Sequence, residues 1–197
     1  MLAHRRLLLS LTVLAGAFVA MPAAAQACGS QDLAQRLLVL GDTGLYLPVD
    51  NAGFENGNND WKLSKASLVK ANEPWKVLGA KHVSALRLNA GGTALSDEVC
   101  VTVDHTHSRF FARAVTTTGS LRVDVLWDNE GQDQQATVLT LSAAQFKAWA
   151  ASPVTPMAAA VKSLYEDEED ELVALKFTAV SGTWEIDDVL VDPYRTR

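Results

Sequence analysis

The densest group of residues able to do chemistry is Asp104-His105-Thr106-His107. Two histidines two residues apart share one face of a strand, a spacing at which imidazoles often ligate a metal. The cluster follows an apolar strand and precedes Arg109-Phe110-Phe111, a place where Asp and His commonly serve a turn, and turn chemistry is the reading carried forward. No Gly-x-Ser-x-Gly elbow, His-Glu-x-x-His, zinc-spaced Cys pair or phosphate-cradling glycine loop occurs, so no catalytic residue is assigned. A pair of carboxylates brought together from distant strands would leave no local pattern, and an enzyme therefore stays open. Glu166-Asp-Glu-Glu-Asp-Glu171 is a run of acids between apolar segments. It reads as a solvated loop kept extended by its own repulsion, with adventitious cation binding as the alternative.

The elements that position these residues begin after a leader. Ala3-His-Arg-Arg-Leu-Leu-Leu runs from a basic start into an apolar stretch ending near Ala20, and Met21-Pro-Ala-Ala-Ala-Gln-Ala27 has small residues at the cleavage spacing. That is the pattern of a secretory signal, placed at residues 1–27, and it predicts an exported chain. Cleavage after Ala25 and cleavage after Ala27 both fit. The second leaves Cys28 first, which opens lipidation as an alternative fate. No other segment is long and apolar enough to span a bilayer as a helix. The chain holds 17 Lys and Arg against 23 Asp and Glu, a formal charge of −6, and losing Arg5 and Arg6 with the leader makes the remainder more acidic. Phosphate backbones are bound mainly through Lys and Arg, so nucleic acid is excluded as a partner. The two cysteines, Cys28 and Cys100, both lie in the exported part, where oxidising conditions favour a disulfide between them over two free thiols.

Beyond the leader, short period-2 segments alternate with turn residues, the signature of an all-β sandwich or barrel. The expected strands are 61–69, 83–88, 99–103, 109–114, 121–127, 136–141, 173–179 and 184–191. Val99, Val101 and Val103 form the apolar face of one of them, which turns Cys100 to the opposite side. Asp128-Asn-Glu-Gly131 reads as a hairpin turn, and Ser181-Gly182-Thr183 as another. Trp127 and Trp184 fall on the apolar sides of their strands and are expected in the core. Gln31 to Leu40 is open to a short helix, and Ser142-Ala-Ala-Gln145 has capping-box spacing in front of a second short helix over 146–150.

Gly53-Phe-Glu-Asn-Gly57 followed by Trp61, with Trp184-Glu-Ile-Asp-Asp-Val189 near the end, is the most specific constellation. These segments resemble the opening and closing strands of secreted carbohydrate-binding modules of the jelly-roll, galactose-binding-like type. More narrowly, the chain resembles a group of exported proteins frequent in actinobacteria. That likeness is carried by Cys28-Gly29, Phe54 to Gly57, Asn72-Glu-Pro-Trp75, Cys100-Val-x-x-Asp-His105, Arg109-Phe-Phe-Ala-Arg113 and Trp184 to Tyr194. It departs at Thr106-His107, where Pro-Thr is usual, and at the acidic run.

The resemblance implies a jelly-roll β-sandwich over residues 46–197, preceded by a helical or irregular segment, 28–45, tethered by Cys28. It implies that the first and last strands meet, with Glu55 and Asp187 or Asp188 as hard oxygen ligands of a structural calcium. It also implies a non-catalytic module for an extracellular glycan at the cell envelope. Sugars are bound by aromatic faces helped by polar side chains. Trp75, after Pro74 in a polar loop, is the expected contact, with Asn72 and Glu73 beside it. A carbohydrate-active hydrolase and an adhesion protein of the cell surface are the alternatives.

Overall fold

A computed structural model of the chain describes residues 32–101, 107–129, 131–157 and 171–192. The leader, Cys28, Asp104 to Thr106 and the acidic run up to Asp170 lie outside the described residues. The strands are β1 (Leu47–Pro48), β2 (Trp61–Lys70), β3 (Ser84–Ser96), β4 (Val99–Val101), β5 (His107–Ala114), β6 (Ser120–Asn129), β7 (Gln132–Ser142), β8 (Ala150–Ala151), β9 (Thr155–Pro156), β10 (Glu171–Ser181) and β11 (Trp184–Asp192). All pair antiparallel, and the path β7-β6-β10-β3-β11-β5-β8 curls over on itself. The architecture is an all-β jelly-roll sandwich. Its N-terminal segment is irregular, with one 3-10 turn at Leu38–Leu40. Among the described residues no helix is long and apolar enough to cross a membrane.

The curl is made by β3, which serves both layers. Its first half pairs β11 (Leu86 with Ile186, Leu88 with Trp184), and its second half pairs β10 (Thr93 with Thr178, Leu95 with Lys176). Between the halves, Gly91 is left-handed at φ +73°, and a Cβ on Gly92 would stand 2.6 Å from the Lys65 carbonyl oxygen. Only glycine allows the strands to bend this closely at the corner. The strand of 84–96 is therefore longer than the expected 83–88, because Gly91-Gly92 bends the pairing where the sequence reads as a stop.

Period-2 alternation puts Leu121, Val123 and Val125 of β6 and Val173, Leu175, Phe177 and Ala179 of β10 against Leu86, Leu88, Phe110, Trp184 and Ile186 of the other layer. Phe177 sits edge-on to Phe110 at 4.9 Å and tilted to Trp61 at 6.1 Å. Each such side chain contributes about 1.5–3 kcal/mol by leaving water. A smaller cluster of Leu37, Tyr46, Phe111 and Leu190 lies apart from this core, and Trp75, Val77 and Trp149 pack against it. With both sides covered, every residue of β11 is buried.

No helix forms over 146–150. Ala143 N–H donates to Gly119 O, only a single turn closes at Gln145 and Phe146, and Ala150 already pairs with β5. Phe146 is buried against Trp184, so core packing overrides the capping-box signal. Trp184 is fully buried as expected, whereas Trp127 only packs against the core from a half-buried position. Val99 and Val101 face inward, with Cys100 on the outward side of β4.

Candidate functional site

The residues after β2 fold back as a loop over β11. Glu73 N–H donates to Asp187 Oδ2 at 3.0 Å, and Leu78 N–H reaches Asp188 Oδ2 at 3.4 Å. Glu73 is itself fully buried. Its Oε2 accepts Trp75 N–H at 2.5 Å and its Oε1 accepts Val77 N–H at 2.6 Å, so this carboxylate holds the loop's turn. Glu73, expected as a ligand contact, thus faces inward and serves the loop's own backbone. Trp75 is half-buried rather than displayed, its ring centred 5.3 Å from that of Phe111. A loop tryptophan of this kind closes the edge of a core. Asn72 is half-buried and donates to the Glu73 carbonyl oxygen at 2.9 Å.

The loop brings several acids to one seam. Asp187 and Asp188 are both fully buried where β11 bulges, and Asp188 is left-handed at φ 45°. Burial first, and the neighbouring Asp188 charge second, push Asp187 up to about 9. Burial, then the neighbouring Glu73 carboxylate, push Asp188 up to about 7, and the Glu55 charge adds to the rise. Taking a carboxylate out of water favours its neutral form, and a like charge nearby does the same. Glu55 Oε1 accepts Val83 and Ser84 N–H at 2.7 and 2.8 Å, tying the first turn to the start of β3. Next to it the His82 ring is slotted between two glycines, where a Cβ would approach to 2.8 Å on Gly53 and 2.6 Å on Gly79.

Glu55, Asp187 and Asp188 are therefore brought to one neighbourhood, with Glu73 and His82 joining them. In kind the oxygens suit a hard cation, since Asp188 Oδ1 and Asn72 Oδ1 are buried acceptors without a hydrogen-bond partner. Most of the other carboxylate oxygens already accept backbone N–H groups, Asp187 Oδ1 among them from Asp188. Among the described residues no three His, Cys, Asp or Glu side chains are arranged as metal ligands.

A separate opening lies elsewhere. A trough of about 710 Å³ runs where the start of β2, the β3–β4 turn and the β6–β7 hairpin meet. Trp127 lines it beside Leu126 and Leu95, and Lys62, Asp97, Glu98, Asp128, Asp133 and Gln134 supply polar groups. Asp128 and Asp133 face each other across the hairpin. An indole set among carboxylates, an amide and an ammonium is a surface for a ligand that offers both a C–H face and hydroxyls. These residues come from separate turns, so only the Asp128 to Gly131 hairpin signal pointed toward them.

No protein-family model matches the chain, and no curated protein matches it either. Among solved structures it is similar to the TmCBM61 module in complex with β-1,4-galactotriose (16% identity, TM-score 0.43, covering 74% of this chain and 97% of that one). It is also similar to the CBM22-1–GH10 modules of Clostridium thermocellum xylanase 10B complexed with xylohexaose (15%, TM-score 0.49, 74% and 28%). A third is the CBM22-1 xylan-binding domain of Paenibacillus barcinonensis Xyn10C (11%, TM-score 0.46, 74% and 94%). At TM-scores this low the likeness carries no functional inference.

Proposed function

We propose that the chain is an exported, non-catalytic module that binds a glycan at the cell envelope through the Trp127 trough. The observation that carries this reading is the trough itself, an open space of about 710 Å³ with an aromatic wall and polar rims. Its size falls within the range of small-ligand sites. A hydrolase would need a substrate-facing pair of acids with divergent pKa values. The acids whose protonation is strongly raised, Asp187 and Asp188, are fully buried and line no part of the trough.

Export rests on the leader, and the Cys28–Cys100 disulfide rests on the cysteine count and the outward side of β4 that Cys100 occupies. A calcium ion at the Glu55–Asp188 seam belongs to the same proposal, supported by the partnerless Asp188 Oδ1. Its test is a rise in Tm with added calcium, abolished by chelator; no change removes the ion and leaves the trough untouched.

The binding test is affinity electrophoresis of the purified exported chain through gels holding neutral polysaccharides, wild type against Trp127→Ala. Retardation of the wild type, lost in the variant with only a small change in Tm, is the expected result. No retardation on any glycan, or release of shortened products, overturns the reading.

A further inference from the structure

A second cavity, of about 300 Å³, opens on the layer built from β3, β11 and β5, and it shares no lining residue with the trough. Its walls include Arg87, Arg113, Lys147 and Glu185. Strand register sets Arg87, Glu185 and Arg113 side by side in one row across the three strands. Glu185 is fully buried, and its Oε1 accepts Arg87 Nε and Nη2 at 3.0 and 2.6 Å. Its Oε2 accepts Arg113 Nε.

Those bonds occupy the inner edges of both guanidinium groups. Arg113 Nη1 and Nη2 and Arg87 Nη1 donate to no described residue, and the two side chains are 37% and 39% exposed. The Arg113 guanidinium also lies 5.1 Å from the centre of the half-buried Trp149 ring. A cation held by a buried carboxylate on one edge and an indole beside it is pre-organised for a ligand on the other edge. Lys147 is exposed at the same mouth and pairs with no carboxylate among the described residues. The cavity is thus cationic on a chain of formal charge −6. Bridging of strands accounts for the arginines and Glu185, but not for a third cation gathered around an open space.

We propose that this cavity binds the carboxylate of a uronic-acid residue of an extracellular glycan. A guanidinium edge matches the two oxygens of a planar carboxylate, and an ammonium adds charge without geometry. The volume, about 300 Å³, suits a single sugar ring at the lower end of ligand-site sizes. That the carboxylate is carried on a sugar rests on the glycan-binding reading; the cationic cavity itself stands apart from the trough.

The test is titration calorimetry of the exported chain at low salt with trigalacturonate, galactotriose, acetate and sulfate, repeated on Trp127→Ala, Lys147→Glu and Arg113→Lys. Trigalacturonate should bind wild type and Trp127→Ala alike, and more tightly than acetate or sulfate. Affinity should fall about tenfold in Arg113→Lys, which keeps the charge and loses the fork. Lys147→Glu, at an exposed position outside the fold's contacts, should weaken binding by a similar factor, and it decides the matter if Arg113→Lys does not fold. The proposal is overturned by no binding of trigalacturonate, by equal binding of acetate or sulfate, or by affinity unchanged in Lys147→Glu. Loss in Trp127→Ala alone would also overturn it, while assigning the uronate to the trough. Failure here with retardation on neutral glycans leaves the trough reading standing.

Discussion

Replacing Asp188 with Asn removes a charge that the folded chain resists carrying. Asp188 sits at φ 45°, a region Asn tolerates better than most residues. The Glu73 carboxylate beside it favours its protonated form, and an Asn amide is likewise neutral there. The carboxyl titrates near 3.8 when unfolded and at about 7 when folded. Between those values the folded state holds a proton that the unfolded state has released. Through Asp188 alone, stability therefore falls as pH rises, by about 1.4 kcal/mol per unit. The cost is absent below about pH 4 and complete above about pH 7, reaching roughly 4 kcal/mol.

The Asn variant has no such proton at that position, so its stability relative to wild type should climb across the window and then level. Asp187 keeps its own burial-driven rise without the added Asp188 charge, and with one retained proton instead of two the variant's remaining slope should be shallower than wild type's. Urea unfolding of both proteins at intervals from about pH 4 to 8, with chelator present so that no divalent cation replaces the proton, measures the difference directly. Parallel stability curves, or a variant less stable than wild type at the alkaline end, would refute the reasoning.

Backbone crowding gives a second test. A Cβ on Gly119, at φ +142°, would lie 2.4 Å from the Ser181 carbonyl oxygen, whereas one on Gly131, at φ +78°, meets nothing within 4 Å. Gly119→Ala should cost more than about 2 kcal/mol and Gly131→Ala about 1, read as shifts in urea midpoint at constant m. Cys100→Ser should cost about 2–5 kcal/mol if the disulfide forms, and non-reducing peptide mapping of the wild type should find Cys28 and Cys100 in one linked peptide pair.

The strands were legible because each layer has one wet face and one dry face, which imprints a period of two on Leu121 to Val125 and Val173 to Ala179. Legibility failed where pairing is not periodic. The expected strand stopped at residue 88, yet Gly91-Gly92 is the corner at which β3 passes from one layer to the other. Ser142 to Gln145 has local helix chemistry, but Phe146 is drawn against Trp184 by the core. Asp187 and Asp188 were expected beside Glu55 from the resemblance alone, and nothing local reveals that a loop from before β3 will cover them. Trp127 looked like core for the same reason that Leu121 did. Only its place at the strand's end, beside the hairpin and the β3–β4 turn, leaves it lining a trough.

The burial of β11 on both faces also sets an order of events. Val49 and Leu47 bond to it from one side, β3 and β5 flank it, and the Glu73 loop rests on Asp187. All of these partners precede it in the chain. A chain delivered from its N-terminus therefore waits, with β3 and β5 lacking a shared neighbour and the loop after β2 lacking its anchor, until residues 184–192 arrive. Closure on a strand so distant in sequence is slow, because the entropy of the long connection must be lost before its contacts form.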